Sequence, residues 1–358
     1  ANDGAIDLGT LAVDGTIALA THGTGAATVV NDAGLNFAAS TVGGALSATA
    51  TTGNITDSGN LTITGAATFI TGVSGSDIIL DGSANAFSGS VTYKADTGGD
   101  ETFGNLVFVD SEAVKLHTSA GTNGDLFINA NTDGVAAVGG SLSITAKSGN
   151  ITQSLPVTVG TTSSFTTSAN NTTITLSNTS NAFTGALTIT TNDDSNDRSY
   201  ATIDGGTTAL IIATSTIDGD LTLTSGHASG ITDTGNVTVG GNLVATTDAN
   251  SGVIDMGTLR VDGTVALTTD GDGNATVVND DGIDFGNSTV RGDLTATASA
   301  GNITQSGALT ITGTTTLITS ADNATITLND AGNAFTEKLL ITTNDTGLET
   351  ARSPDHLR

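Results

Sequence analysis

The 358-residue chain has no cysteine and no tryptophan, and only two prolines, two tyrosines and one methionine. Without cysteine, a small secreted domain stapled by disulfides is excluded, as is a thiolate metal site. Aromatic residues amount to 3%. That is too few for a conventional multilayer core, which needs large side chains to reach close packing. Basic residues are scarce as well: nine Lys and Arg stand against 36 Asp and Glu, a formal net charge of −27. This balance argues against a nucleic-acid partner or an anionic membrane bound through counterion release. No run approaches the ~18 apolar residues of a spanning helix, so no membrane insertion is expected. The acidity reads first as a solubility device, because a long stranded surface needs self-repulsion to avoid lateral association. The chain opens Ala1-Asn2-Asp3-Gly4 without Met or a signal-peptide pattern, which reads as a mature form or a piece of something longer.

What the chain does have is small β-branched residues in alternation. Val, Ile and Thr suit pleated strands and fill a narrow interior. Segments such as Leu309-Thr310-Ile311-Thr312 and Ile326-Thr327-Leu328-Asn329 alternate with period two, one face in and one face out. Between them stand Gly, Asn, Asp and Ser, the residues of tight turns. The 47 glycines and the Ser/Thr/Asn content also fit disorder, but the sustained alternation argues against it.

Repetition decides the architecture. Residues 4–71 align with 252–319 without a gap: GTLAVDGTIAL (9–19) matches GTLRVDGTVAL (257–267), and ATVVNDAGLNF (27–37) matches ATVVNDDGIDF (275–285). The register persists to NAF at 85–87 and 333–335. A third copy runs from GGSLSITAKSGNITQS (139–154) to NAFTGALTITTND (181–193), and a looser relative covers 219–241. The expectation is one continuous solenoid over residues 1–345, with long copies at about 4–96, 136–193 and 252–345, followed by an irregular tail or linker at 346–358. A β-sandwich needs dissimilar edge and central strands, so ungapped long repeats favour an all-β parallel solenoid of short strands and Gly/Asn/Asp turns. At roughly 20 residues per coil this predicts about 17 coils and a rod on the order of 80 Å. Asn54, Asn150 and Asn302 recur in Gly-Asn-Ile-Thr and are read as structural turn residues, able to stack as a ladder from coil to coil.

The string GNITQSGALTITGTTTLITSADNATITLNDAGNAFTEKLLITTND (301–345), with NAFTGALTITTND (181–193), resembles the repeat regions of filamentous-haemagglutinin-like exoproteins and giant autotransporter-type surface proteins of Gram-negative bacteria. The likeness extends to about Asp345 and is one of texture. It implies a right-handed parallel β-helix, an extracellular or cell-surface location, and a role in adhesion, aggregation or filament formation. A host-cell or neighbouring-cell surface would be the partner. The secretion domain of that family is not visible in the sequence.

No catalytic residue or cofactor emerges. His22, His117, His227 and His356 lie far apart, and the counterpart of His22 in the last copy is Asp270. A carbohydrate-active β-helix enzyme, lyase or hydrolase, is the competing class. It would want clustered Lys or Arg and aromatic platforms, yet only Tyr93, Tyr200 and ten Phe are available. Paired carboxylates for glycoside hydrolysis arise by chance among so many acids. A Ca²⁺-dependent surface-binding module is the third class. Its candidates are Asp270, Asp272 and Asn274, which open like an oxygen-rich loop but lack Gly at the sixth place and Glu at the twelfth, and Asp193, Asp194 and Asp197 in an acidic bulge. Gly75-Ser76-Asp77 is an isolated echo of the nonapeptide Ca²⁺ repeat. The alternating pattern runs from Ile6 to about Thr343 with no evident cap. Either the chain continues in a longer protein, or subunits stack end to end.

Overall fold

In a computed structural model the described residues are 3–95, 103–112, 114–117, 125–129, 136–192 and 199–344. They form 41 strands and no helix. The strands pair in parallel and wind into a solenoid of about 14 turns.

A regular coil shows why this sequence folds this way. Strand Leu46–Ala50 buries Leu46, Ala48 and Ala50 and turns Ser47 and Thr49 outward. Two three-residue strands follow, Ile55–Asp57 and Leu61–Ile63. The chain then returns as Ala67–Thr71, directly beneath its starting strand. Every inward side chain thus meets its counterpart one coil away. A coil cannot bury its apolar side alone; stacking makes one continuous core. The core carries its few aromatics in file, with edge-to-face contacts between Phe37 and Phe69 (6.2 Å), Phe69 and Tyr93 (5.9 Å), and Tyr93 and Phe108 (6.0 Å).

The coils vary in length, and several are longer than the sequence pattern predicted. Ala27 pairs with Leu46, Leu46 with Ala67 and Ala67 with Val91, so successive coils take 19, 21 and 24 residues. The coil between Leu106 and Leu142 takes 36. Longer coils mean about 14 turns in place of about 17, and a stack of about 65 Å at ~4.8 Å per coil.

Successive copies alternate sides. In the first, the five-residue strands Ala27–Asn31, Leu46–Ala50, Ala67–Thr71 and Val91–Ala95 stack in one sheet. The short strand Ile78–Leu80 lies in a second sheet, and there the next copy places its long strands: Leu106–Asp110, then Leu142–Ala146 and Ser163–Thr167. Long strands return to the first sheet with Leu221–Ser225 and Leu243–Thr247. They cross again to the second with Ala275–Asn279, Leu294–Ala298 and Thr315–Thr319. Ala27–Asn31 and Ala275–Asn279 are both ATVVN, yet they belong to different sheets. The last crossing is made by the eight-residue strand Ile254–Val261. It spans both short strands of the preceding coil, Ile231–Asp233 and Val237–Val239, and so presents a full-length edge on which Ala275–Asn279 stacks.

Candidate functional site

The recurrent asparagines act between coils. Asn54 Oδ1 accepts the Asp77 N–H at 2.9 Å, Asn150 Oδ1 that of Thr173 at 2.8 Å and Asn302 Oδ1 that of Thr325 at 2.8 Å. On the other side their carbonyls accept the N–H groups of Leu35, Val114 and Ile283. Each residue therefore ties three consecutive coils. Read in the sequence as turn residues, they use their side chains to bond backbone of the following coil.

The Asp270–Asn274 loop is organised by the same logic. Gly271 takes a positive φ of 56°. The Gly273 N–H closes the turn on the Asp270 carbonyl at 3.0 Å, and Thr269 Oγ1 donates to the Gly273 carbonyl at 2.7 Å. The Asp272 N–H donates to Ser251 Oγ at 3.1 Å. Asn274 Oδ1 accepts the Asp293 N–H at 2.8 Å, so this expected cation ligand is turned toward the next coil. Among the described residues no three His, Asp or Glu side chains converge as metal ligands would. Asp193, Asp194 and Asp197 lie outside the described residues.

One surface groove, of about 390 Å³, crosses four successive coils around Thr238, Thr258, Arg260, Val278, Asp280 and Ser299. It offers a single guanidinium and a single carboxylate. The place of Arg260 in the first copy is Ala12, so the groove chemistry is not repeated. Aromatic platforms are equally sparse. Tyr93 and the phenylalanines of the core are buried, Phe335 is partly buried, and Tyr200 is 40% exposed.

Three carboxylates are pushed upward in pKa, each chiefly by burial. The Asp110 side chain, whose Oδ1 accepts the Phe87 N–H at 3.0 Å, is raised to about 6. Asp57 is raised by burial against the opposing effect of its bonds from Asn85, Asp81 and Gly82. Asp204 is raised by burial, partly offset by the Gly206 N–H. All three accept backbone N–H groups, and each has a further carboxylate nearby that raises it, Glu112 for Asp110, Asp81 for Asp57 and Asp248 for Asp204. Burial also lifts the Tyr93 phenol well above its usual value, and its hydroxyl donates to the Val107 carbonyl at 3.1 Å.

Sequence reasoning missed a second polar device that recurs in three copies. Asn85, Asn181 and Asn333, the first residues of the NAF strings, each accept the N–H of a strand in the preceding coil, from Leu61, Val157 and Leu309 respectively. The signal was the recurrence of NAF itself, with Asp57, Gln153 and Gln305 at matching distances before it.

No curated protein and no solved structure matches the chain. One repeat family matches three stretches, residues 24–94, 104–190 and 272–342. These stretches coincide with three of the long-strand blocks that alternate between the two sheets. The chain therefore belongs to the family described as Repeats of unknown function (DUF5649).

Proposed function

We propose that the chain is a stiff, acidic scaffold segment of a secreted bacterial surface protein, serving adhesion, aggregation or filament formation. The observation that carries this reading is the ladder of parallel pairing from Ile6 to Thr343, in which strand after strand is held by a coil on either side. The recurring polar side chains described above make coil-to-coil bonds, which stiffens the stack. The outward strand positions are largely Thr and Ser, with interspersed Val and Ile such as Val30, Ile70 and Val109, and the net charge of −27 makes the rod repel its own kind along its flanks. Alternation of copies between two sheets displays the same outward motif on both sides of the rod, which favours multivalent contact. Export and a cell-surface partner rest on the resemblance of residues 301–345 to haemagglutinin-like repeats. Electron microscopy and small-angle scattering of the purified chain test the scaffold reading. Rods of about 65 Å, singly or end to end, are expected; compact globules would overturn it. Binding to intact cells, compared with a scrambled-surface variant of the same fold, tests adhesion.

A further inference from the structure

The residue that closes the first long strand of a block ties two coils together, and its chemistry changes in one copy. Asn31 closes Ala27–Asn31 and Asn279 closes Ala275–Asn279. Asn31 Oδ1 accepts the Val13 N–H at 2.9 Å, and its Nδ2 donates to the carbonyls of Val13 at 3.0 Å and Gly34 at 2.8 Å. Asn279 repeats this with Val261, accepting at 2.8 Å and donating at 3.2 Å, and it also donates to the Gly282 carbonyl. The N–H of the following residue, Asp32 or Asp280, donates to the carbonyl two residues before that valine, Leu11 or Leu259.

The block between them places Asp110 at this position. Asp110 closes Leu106–Asp110, and its Oδ1 accepts the Phe87 N–H at 3.0 Å. The Ser111 N–H donates to the carbonyl of Asn85, two residues before Phe87. The three sites therefore correspond bond for bond, up to the second side-chain atom. There the asparagines carry an NH₂ donor, and Asp110 carries Oδ2, which is buried without a hydrogen bond on a residue that is 0% exposed. The correspondence sets Oδ2 toward the Phe87 carbonyl, oxygen against oxygen, a pairing that is costly in the interior unless a proton lies between them. Neighbouring donors are committed elsewhere: the Tyr93 hydroxyl donates to the Val107 carbonyl, and Lys147, in the coil after, is exposed. The other titratable groups around the site are Glu112 just past the strand and Asp57 and Asp81 in the two coils before it. All are carboxyls, whose charge favours a neutral Asp110.

We propose that Asp110 is a proton-binding site, whose Oδ2 carries a proton donated to the Phe87 carbonyl, so that the neutral acid does in this block what the Asn31 and Asn279 amides do in theirs. Loss of the proton to solvent leaves a buried carboxylate facing a carbonyl, and the contact between Ala86–Phe87 and the end of Leu106–Asp110 loosens. The bond is present below the ordinary carboxylate pKa and is lost as pH rises through the raised folded value. One block thus joins its coils through a link that alkali removes, while the equivalent links at Asn31 and Asn279 do not titrate. The rod gains a pH-sensitive joint at one fixed height, whatever surface or partner it serves.

Carbon-13 NMR of the unmodified chain, labelled at the Asp carboxyl and Phe carbonyl carbons, is the test. Asp110→Asn and Phe87→Leu identify the two signals by their loss. The Asp110 carboxyl carbon is expected to report the neutral acid at about pH 5 and to titrate near pH 6. The Phe87 carbonyl carbon should move with the same midpoint. Asn279→Asp should carry the behaviour to another block, its urea midpoint falling relative to the parent as pH rises through the same range. An Asp110 signal already ionised at about pH 5, or one that titrates while the Phe87 carbonyl stays still, would overturn the inference. So would an Asn279→Asp variant whose difference from the parent does not change with pH.

Discussion

The amides of Gln153 and Asn181 face each other across one coil and exchange two hydrogen bonds. Gln153 Nε2 donates to Asn181 Oδ1 at 2.8 Å, and Asn181 Nδ2 donates to Gln153 Oε1 at 2.9 Å. Gln305 and Asn333 repeat the pair at 2.9 and 2.8 Å. In the first copy Asp57 takes the place of Gln and accepts from Asn85 Nδ2 at 2.7 Å. Asn181 also accepts the Val157 N–H and donates to the carbonyls of Leu176 and Asp204.

Asn181→Ala removes all of these bonds at a residue that is 1% exposed. It leaves the buried Val157 N–H without its acceptor, at a cost of about 2 to 4 kcal/mol. A solenoid is nearly one-dimensional, so the damage stays local. Hydrogen exchange should quicken over residues 151–183 and remain unchanged over 275–319. Uniform loss of protection along the whole chain would contradict this.

Alternation and turn residues made the solenoid legible, because period two and glycine punctuation are local properties that the coil inherits directly. The length of each coil was less legible. The turn Asp81–Asn85, held by Asp57 and Asn60 of the preceding coil, adds residues that an average repeat does not foresee. The change of side between copies was invisible, since ATVVN reads the same in either sheet and the switch is set by how Ile254–Val261 covers two strands below it. The loop at 270–274 resembled a cation site because Asp, Asn and Gly serve both as oxygen ligands and as inter-coil connectors. In the structure Asn274 Oδ1 accepts the Asp293 N–H, the connecting use.

Glycine marks a corner where coils touch through backbone. The Gly44 N–H donates to the Gly25 carbonyl at 2.8 Å and the Gly65 N–H to the Gly44 carbonyl at 3.1 Å. A Cβ on Gly65 would lie 2.4 Å from the Gly44 carbonyl carbon, a backbone atom with nowhere to move. Gly65→Ala should therefore cost about 1 to 3 kcal/mol. Gly15→Ala, where no atom lies within 4 Å of the added methyl, is the control. Equal midpoints of urea unfolding for the two variants would refute a steric origin.

Inward threonines carry a cost that valine would remove. Thr71, Thr167 and Thr319 close equivalent five-residue strands, are at most 1% exposed, and bury hydroxyls without a hydrogen-bond partner. Valine keeps the β-branched shape and removes the desolvated oxygen. Thr167→Val and Thr319→Val should each raise stability by about 1 kcal/mol. Being far apart, they should add. A decrease in the unfolding midpoint of either variant would show that the hydroxyl has an unrecognised partner.

Asp110 makes stability fall as pH rises. Its folded pKa, about 6, lies above the usual carboxylate value of 3.8 because burial penalises the carboxylate. Between these values the folded chain binds more protons than the unfolded one, so the slope of stability against pH is negative there. The contribution is complete below about pH 4 and is lost once pH has risen through about 6. That difference corresponds to about 3 kcal/mol. Asp110→Asn retains an oxygen for the Phe87 N–H and cannot ionise. The remaining carboxylates contribute equally to both proteins, so the difference between their urea midpoints isolates Asp110. The variant should gain on the parent from pH 4 to pH 7 and run parallel to it above. Parallel curves throughout would mean that Asp110 is solvated in the folded chain, and that the coil between Leu106 and Leu142 is looser than its pairing with Ile78–Leu80 implies.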